Sequence, residues 1–377
     1  MPKALNDVLV AGHICLDIIP GFLGKVTFDP GRLFEVGDAL ISTGGVVSNT
    51  GQALHKLGIK TALAGKIGDD LFGKAVCDTL ERCGSGLSRG MTVSPTDATS
   101  YTVVINLSGE DRMFLHAPGC NNTFVASDVT DQAILDADLV HFGYPTLMAR
   151  MFEDDGRETL SLFERAKRLG ATTSLDVSLP DLAGAAGKAD WRKILTRVLP
   201  YTDLFLPSAE ELVFMLDRSR FETLKGEPVP VSEFERLSME AISLGAKVIA
   251  VKAGSLGLYL RSRDELDGLG RGAPADPMPW QSCHMWAPVF EVDVKGTTGA
   301  GDATIAGLLM GWIRGMRPED ALRAAAAVGG CCCEQADAVT GVQSWPATDS
   351  RIRNGWSNRP LKMPSDWHLQ GGVYVKA

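Results

Sequence analysis

The stretch from Gly296 to Gly311 reads GTTGAGDATIAGLLMG, with three glycines and a lone carboxylate placed just before an apolar run. Ile305, Leu308, Leu309 and Trp312 recur three and four residues apart, so a helix is expected to start near Asp302, with the glycines in the turn leading into it. Backbone N–H groups freed at such a helix start, with glycines letting the chain curl closely around a guest, suit an anion: a phosphate or a developing oxyanion. A carboxylate at the lip of that cradle would repel a resting phosphate. Two roles for Asp302 fit this position. It caps the helix, as acids there commonly do, or it accepts a proton from a hydroxyl while the cradle holds the group being transferred.

Outward from this turn, apolar strand-like runs alternate with amphipathic stretches: VLVAGHICLDI, NTGQALHKLG, KTALAGKIG, LFGKAVCDTLERCG, and onward to FERLSMEAISLG and AKVIAVKAG. That alternation predicts an α/β fold, a mostly parallel sheet covered by helices on both faces. Ligands collect at the carboxyl ends of the strands in such sheets, where Asp17, Asp176, Ser208 and Gly254 are expected. Two segments, about 21–43 and 100–116, break the rhythm and read as hairpin strands forming a small flap beside the main sheet. The Gly-, Pro- and Asp-rich RDELDGLGRGAPADPMPW reads as a surface excursion rather than a domain boundary.

Composition narrows the function. The chain has 377 residues, long enough for one large α/β domain, and its 37 basic against 46 acidic residues give a net charge of -9. No long basic block would track a phosphate backbone, so nucleic acid is not expected as a partner. No segment approaches the roughly 20 apolar residues of a membrane span, and no leader is read at the N-terminus, so a cytoplasmic location is expected. The eight cysteines lack the two-residue gap of a zinc knuckle or redox motif and read as reduced thiols, with Cys331, Cys332 and Cys333 packing as small helix residues. The segment GDDLFGKA, Gly68 to Ala75, has Walker A spacing, but Ala75 stands where a magnesium-binding hydroxyl is needed and Asp69 and Asp70 would oppose phosphate. It reads as a helix start. Nor does GTTGAGDA have the third glycine of a dinucleotide fingerprint.

The pieces GGVVSNTGQALHKLGIKTALAGKIGDDLFG, from Gly44, and VKGTTGAGDATIAGLLMG, from Val294, resemble the two signature regions of the ribokinase-like (PfkB) carbohydrate kinases, in the right order. The resemblance implies a three-layer α/β/α domain with a β-lid that transfers the γ-phosphoryl group of ATP to a hydroxyl of a sugar or nucleoside. It implies that Asp302 is the base and that Gly299, Ala300 and Gly301 form the anion hole. It places Asp17, Gly44, Gly45 and Asn49 on the sugar, and it places Ser208, Lys252, Gly254, Gly257 and Thr298 on the nucleotide. In LPSAEEL, Glu211 matches a residue serving magnesium, while Ser208 stands where asparagine is usual. Asp176 ends a strand facing the cleft and either orders magnesium waters or caps its turn. Arg112 and Asn121 match positions that often contact substrate; a solvated flap charge is the alternative for Arg112. The segment AAAAVGGCCCEQADAVTGV falls where the adenine end is usually walled.

Two departures stand out. Gly296 replaces the aspartate that many members carry six residues before the base, which puts monovalent-cation activation in doubt. Beyond a kinase domain spanning 1–342, a tail of 343–377 contains Trp345, Trp356 and Trp367, which are expected to pack on the body or on a partner subunit, as in a homodimer. The expected activity is therefore an ATP- and magnesium-dependent sugar or sugar-acid kinase. The alternatives are a nucleoside kinase of the same fold and a silent sugar-binding regulator.

Overall fold

The computed structural model describes residues 4–24, 26, 30–107, 113–224 and 227–376. Fifteen strands are present among them: β1 Asn6–Gly12, β2 Cys15–Gly21, β3 Gly37–Gly44, β4 Thr61–Gly68, β5 Met91–Ser94, β6 Tyr101–Ile105, β7 Met113–Ala117 and β8 Ala137–Gly143, then β9 Thr172–Asp176, β10 Leu204–Phe205, β11 Val248–Lys252, β12 Leu258–Ser262, β13 His284–Ala287, β14 Trp367–Gln370 and β15 Val373–Lys376. Eleven form one sheet in the order β14-β15-β13-β12-β11-β10-β9-β8-β1-β4-β5. The seven strands from β5 to β11 in that order run parallel, and the remaining four are antiparallel.

The central parallel strands bury successive residues because both faces of the sheet are covered. In β1, Val8 and Val10 enter one core while Leu9 and Ala11 enter the other; in β11, Val248 and Ala250 separate from Ile249 and Val251 in the same way. One face is covered by the helices Val46–Lys56, Leu71–Cys83, Ala300–Ile313 and Pro318–Cys333. The other is covered by Ala149–Arg168, Trp191–Val198, Ala209–Leu216 and Val231–Leu244. The helix Ala300–Ile313 is apolar nearly all round and correspondingly buried. Gly307 and Gly311, one turn apart, let Pro318–Cys333 close in: a Cβ at Gly307 would stand 2.8 Å from Ala325 Cα. The Walker-like segment is a helix start, with Asp70 accepting from Gly73 N–H at 2.8 Å and from Thr99 Oγ1 at 2.7 Å.

A second sheet, β3-β2-β6-β7, forms a lid. Its composition corrects the reading of VLVAGHICLDI as one run, because the chain leaves the main sheet at Gly12 and enters the lid at Cys15. Gly12 sits at φ 125°, and a Cβ there would lie 2.4 Å from the Gly143 carbonyl, so only glycine fits the crossing. β3 pairs antiparallel with β2, which begins at Cys15, so the hairpin read within about 21–43 draws its first strand largely from before that segment. Asp17 consequently stands inside a lid strand, not at the end of a main-sheet strand. The excursion after β12 is anchored rather than wholly superficial: Trp280 is fully buried, with its ring centroid 4.8 Å from that of Trp312. The tail adds β15 and β14 to the sheet edge beside β13.

Candidate active site

Asp302 lies in the first turn of Ala300–Ile313, only 4% exposed. Its carboxylate caps nothing; the position before the helix is Gly299, which has no side chain to bond with. Three side chains donate to it instead: Asn49 Nδ2 to Oδ2 at 3.0 Å, Thr50 Oγ1 to Oδ1 at 3.2 Å, and Tyr144 Oη to Oδ1 at 2.8 Å. Asn49 and Thr50 lie near the start of the helix Val46–Lys56 that follows β3, and Tyr144 follows β8 with a left-handed backbone, φ 64°. That conformation is uncommon for a bulky residue and directs the phenol at the acid.

Gly299 is required on two counts, since its φ is 72° and a Cβ would stand 2.5 Å from that of Ala338. The Ala300 N–H donates to the Thr297 carbonyl at 3.2 Å, so Ala300 is not the free donor that was expected. The N–H groups of Gly301 and Asp302 have no backbone partner among the described residues and remain for an anion. A Cβ at Gly301 would meet only the Lys252 side chain, with Nζ at 4.0 Å, which brings an ammonium beside the cradle.

Lys252, ending β11, pairs with Asp176, ending β9, at 2.6 Å. Glu211 and Asp302 complete a group of three carboxylates around one ammonium. Burial and the like charges of Glu211 and Asp302 raise the Asp176 carboxyl against the pull of Lys252, and burial likewise raises Glu211. Burial alone would lower the Lys252 ammonium, but Asp176 and Glu211 hold it above the usual lysine range. Asp176 Oδ2 is buried without a hydrogen-bond partner among the described residues. Glu211 and Ser208 form a capping box: the Ser208 N–H donates to Glu211 Oε2 at 2.6 Å, and the Glu211 N–H donates to Ser208 Oγ at 3.3 Å. Among the described residues no three His, Cys, Asp or Glu side chains converge closely enough to hold a metal unaided.

These groups border a cleft of about 700 Å³. Ser208, Glu211, Lys252, Gly254, Gly257, Gly299, Ala300, Gly301 and Asp302 line it, and Asp176 stands behind Lys252. Thr297 lines it where Thr298 was expected; the Thr298 carbonyl faces away and accepts from Cys332 Sγ at 3.4 Å. Val289, Phe290, Val292, Ala326 and Gly330 give the far end an apolar wall.

On the lid side, the Asp17 carboxylate lies where a side chain at Gly44 would stand, 2.4 Å from that Cβ position, and burial raises its carboxyl. Gly45, at φ 85°, faces His13 Nδ1 in the same manner. Asn121 is a correction: it is wholly buried, donating from Nδ2 to the Ile14 carbonyl at 2.9 Å and accepting from the Ile14 N–H at 3.4 Å. It pins the crossing between body and lid from behind. Arg112 lies outside the described residues.

Tyr144, Thr50 and His13 were not singled out from the sequence. His13 is 2% exposed, and neither ring nitrogen has a partner among the described residues. Its ring stands between His116 on the lid, centroids 5.3 Å apart, and Tyr144, at 6.0 Å. Burial, aided by the His116 charge, lowers it to about 3, so it is neutral.

The profile of the pfkB family carbohydrate kinases matches residues 6–345. The chain belongs to this family. This carbohydrate kinase is 25% identical over 289 residues to an uncharacterized sugar kinase of Archaeoglobus fulgidus, covering 77% of this chain and 97% of that one. It is 25% identical over 305 residues to fructokinase-1 of Zea mays, covering 80% and 81%. Its fold is similar to that of Arabidopsis thaliana ribokinase complexed with ribose and ATP, at TM-score 0.72 and 19% identity, covering 92% of this chain and 99% of that one. A fructokinase with bound ATP from Xylella fastidiosa superposes at TM-score 0.70 and 20% identity, covering 93% and 99%. The three-layer fold with its lid is thus that of the ribokinases, and among the described residues no helix is long and apolar enough to cross a membrane.

Proposed function

We propose that this carbohydrate kinase transfers the γ-phosphoryl group of ATP to a hydroxyl of a sugar or sugar acid, with Asp302 as general base. One observation carries the reading. Asp302 is a buried carboxylate whose own helix supplies the Gly301 and Asp302 N–H groups, free of backbone partners among the described residues, and it lines the nucleotide-sized cleft while accepting from Asn49 on the lid side. The ATP bound in two similar structures supports the donor, and the sugar kinase and fructokinase relatives support the acceptor class.

Asp302 accepts the proton of the attacking hydroxyl while Asn49, Thr50 and Tyr144 fix its orientation. The Gly301 and Asp302 N–H groups, with Lys252 beside them, stabilise charge on the moving phosphoryl group. Asp17 accepts from acceptor hydroxyls, and Gly44 and Gly45 keep the floor free of side chains. Gly254 and Gly257, in the turn after β11, border the nucleotide.

Magnesium suits the donor set, because three carboxylates exceed one ammonium and Asp176 Oδ2 lacks a hydrogen-bond partner among the described residues. Glu211 and Asp176 would hold it through waters, as the ion prefers, and it would shield the phosphate charges. Eight free cysteines suit a reducing, cytoplasmic compartment. We also propose a homodimer through the lid, whose Leu40, Ile41, Phe114 and Leu115 are 48–57% exposed.

The test is ADP formation from ATP and magnesium across a panel of sugars, sugar acids and nucleosides. A sugar or sugar acid is expected to be the preferred acceptor. Turnover confined to nucleosides would replace the acceptor class, and ligand binding with no turnover on any acceptor would favour a silent regulator.

A further inference from the structure

The segment that follows the family match, which ends at residue 345, does not simply trail from the body. Residues 356–359 form a short antiparallel strap against 289–291, the same stretch that supplies the apolar wall of the cleft. Glu291 N–H donates to the Ser357 carbonyl at 2.9 Å and Arg359 N–H donates to the Val289 carbonyl at 2.8 Å. Asn358 Nδ2 donates to the Pro288 and Val289 carbonyls at 3.3 and 3.4 Å.

Trp356 fixes one end of the strap. Its Nε1 donates to the Glu291 carbonyl at 2.7 Å, its ring lies 4.5 Å from that of Phe290, and the Arg351 guanidinium lies 3.6 Å from its centroid. It also fills the space beside Gly330, where a Cβ would stand 3.4 Å from the indole. The other end is held by the sheet. Beyond the strap, β15 pairs with β13 through Trp286↔Tyr374, Trp367 is buried against His284, and Lys376 pairs with Glu235 at 2.7 Å. Between these anchors stands Arg359, exposed and on the lining of the cleft, with no ion-pair partner among the described residues.

We infer that this strap is a working wall of the donor-nucleotide site and that the Arg359 guanidinium contacts the nucleoside portion of the donor. The inference rests on the ATP reading above. The location decides which part of the nucleotide is met: Arg359 accompanies Val289 and Phe290 on the apolar wall, while Lys252, Gly301 and Asp302 occupy the charged end. A guanidinium suits a purine, because it stacks on the ring face and its fork donates to ring nitrogens and ribose hydroxyls. The apolar wall shields that contact from water, and the anchored strap presents the side chain with little backbone entropy left to lose on binding.

The experiment is calorimetric titration of the full chain and of Arg359→Ala with ATP in the absence of acceptor, and with adenosine and tripolyphosphate as partial probes. Arg359→Ala is expected to weaken ATP roughly three- to thirtyfold, to weaken adenosine in parallel and to leave tripolyphosphate unchanged. Arg353→Ala, an exposed tail arginine paired with Asp349, should leave all three unchanged. Melting temperatures of both variants are expected to equal that of the full chain, because the two side chains are exposed. Equal ATP affinity in Arg359→Ala overturns the inference, as does a loss seen with tripolyphosphate but not adenosine, which would move Arg359 to the phosphates. Wild-type protein that binds no ATP overturns both the inference and the kinase reading, whereas binding that Arg359→Ala leaves intact overturns the inference alone.

Discussion

The Tyr144 phenol donates to Oδ1 of Asp302 at 2.8 Å across 158 positions of sequence, from a residue bent to φ 64°. A left-handed backbone that delivers a hydroxyl to a buried carboxylate supports the proposal of a positioned acid over that of a helix cap. Tyr144→Phe keeps the ring against His13 and removes only the donor. A hydrogen bond to a charged group contributes about 1.5 to 3 kcal/mol, so kcat is expected to fall roughly tenfold or more while KM for ATP stays put. Steady-state kinetics with both substrates varied decide this, and an unchanged kcat would leave Tyr144 as a packing residue.

The lid predicts a division between the two substrates. Asp17 belongs to lid strand β2 and Lys252 to the far side of Asp302, so Asp17→Ala should weaken the sugar about ten- to a hundredfold and leave ATP nearly untouched. Separate binding titrations for sugar and nucleotide check it. Equal sugar affinity would remove Asp17 from the acceptor site.

How much of this was legible in the sequence depends on whether the signal was local. The alternation of Val8 and Val10 with Leu9 and Ala11, and the glycines before Asp302, are local patterns that the fold uses directly. Thr50 and Tyr144 have no such pattern. Their meeting at Asp302 is set by how the helix after β3 and the end of β8 converge, and a threonine in a helix or a tyrosine before a proline reads as ordinary. The crossing at Gly12 was hidden because β1 and β2 are both apolar and nearly contiguous; only the close approach of Gly143 shows that they belong to different sheets. Asn121 looked available for substrate because the sequence cannot show that its amide is already taken by Ile14.

Buried histidines make stability depend on acid. His13 and His141 are lowered to about 3 by burial, with the His116 and Lys252 charges adding, and His284 to about 4 by burial aided by Arg261. Each stays neutral when folded but protonates near 6.5 when unfolded, so its contribution is complete above about 6.5 and is lost as pH falls below that value. The raised carboxyls of Asp17, Asp176 and Glu211 act in the opposite sense, taking up protons in the folded chain first. A single-site comparison separates the two. Between pH 7.5 and 5, wild type should lose about 2 kcal/mol more than His13→Leu, measured by urea unfolding. Parallel losses would show that His13 does not carry the dependence.

Monovalent cations should matter little. A Cβ at Gly296 would lie 3.0 Å from the Gln335 carbonyl and 3.1 Å from that of Ala336, so this turn has closed over the space a carboxylate would need. Turnover in sodium, potassium or a bulky organic cation at equal ionic strength is therefore expected to agree within about twofold. A strong requirement for potassium would show that carbonyl oxygens build the site without the acid.

The base itself is tested by Asp302→Asn. The substitution is tolerable in this setting for a specific reason: Asn49 donates to Oδ2 of Asp302, while its own Oδ1 is buried without a partner among the described residues. Rotating the Asn49 amide would present that oxygen to the new NH2 group, and Thr50 and Tyr144 would still find an acceptor at the retained oxygen. The melting temperature should therefore stay close to wild type, and both ligands should bind. ATP binding should tighten slightly, because a carboxylate no longer faces the γ-phosphate. What asparagine cannot do is take a proton. General-base catalysis contributes roughly a hundred- to ten-thousandfold, so kcat should fall by at least about two orders of magnitude. A purely structural Asp302 would leave rate and stability together nearly unchanged. A variant that melts like wild type and keeps more than about a tenth of its rate would lie outside that catalytic range and end the assignment of Asp302 as the base.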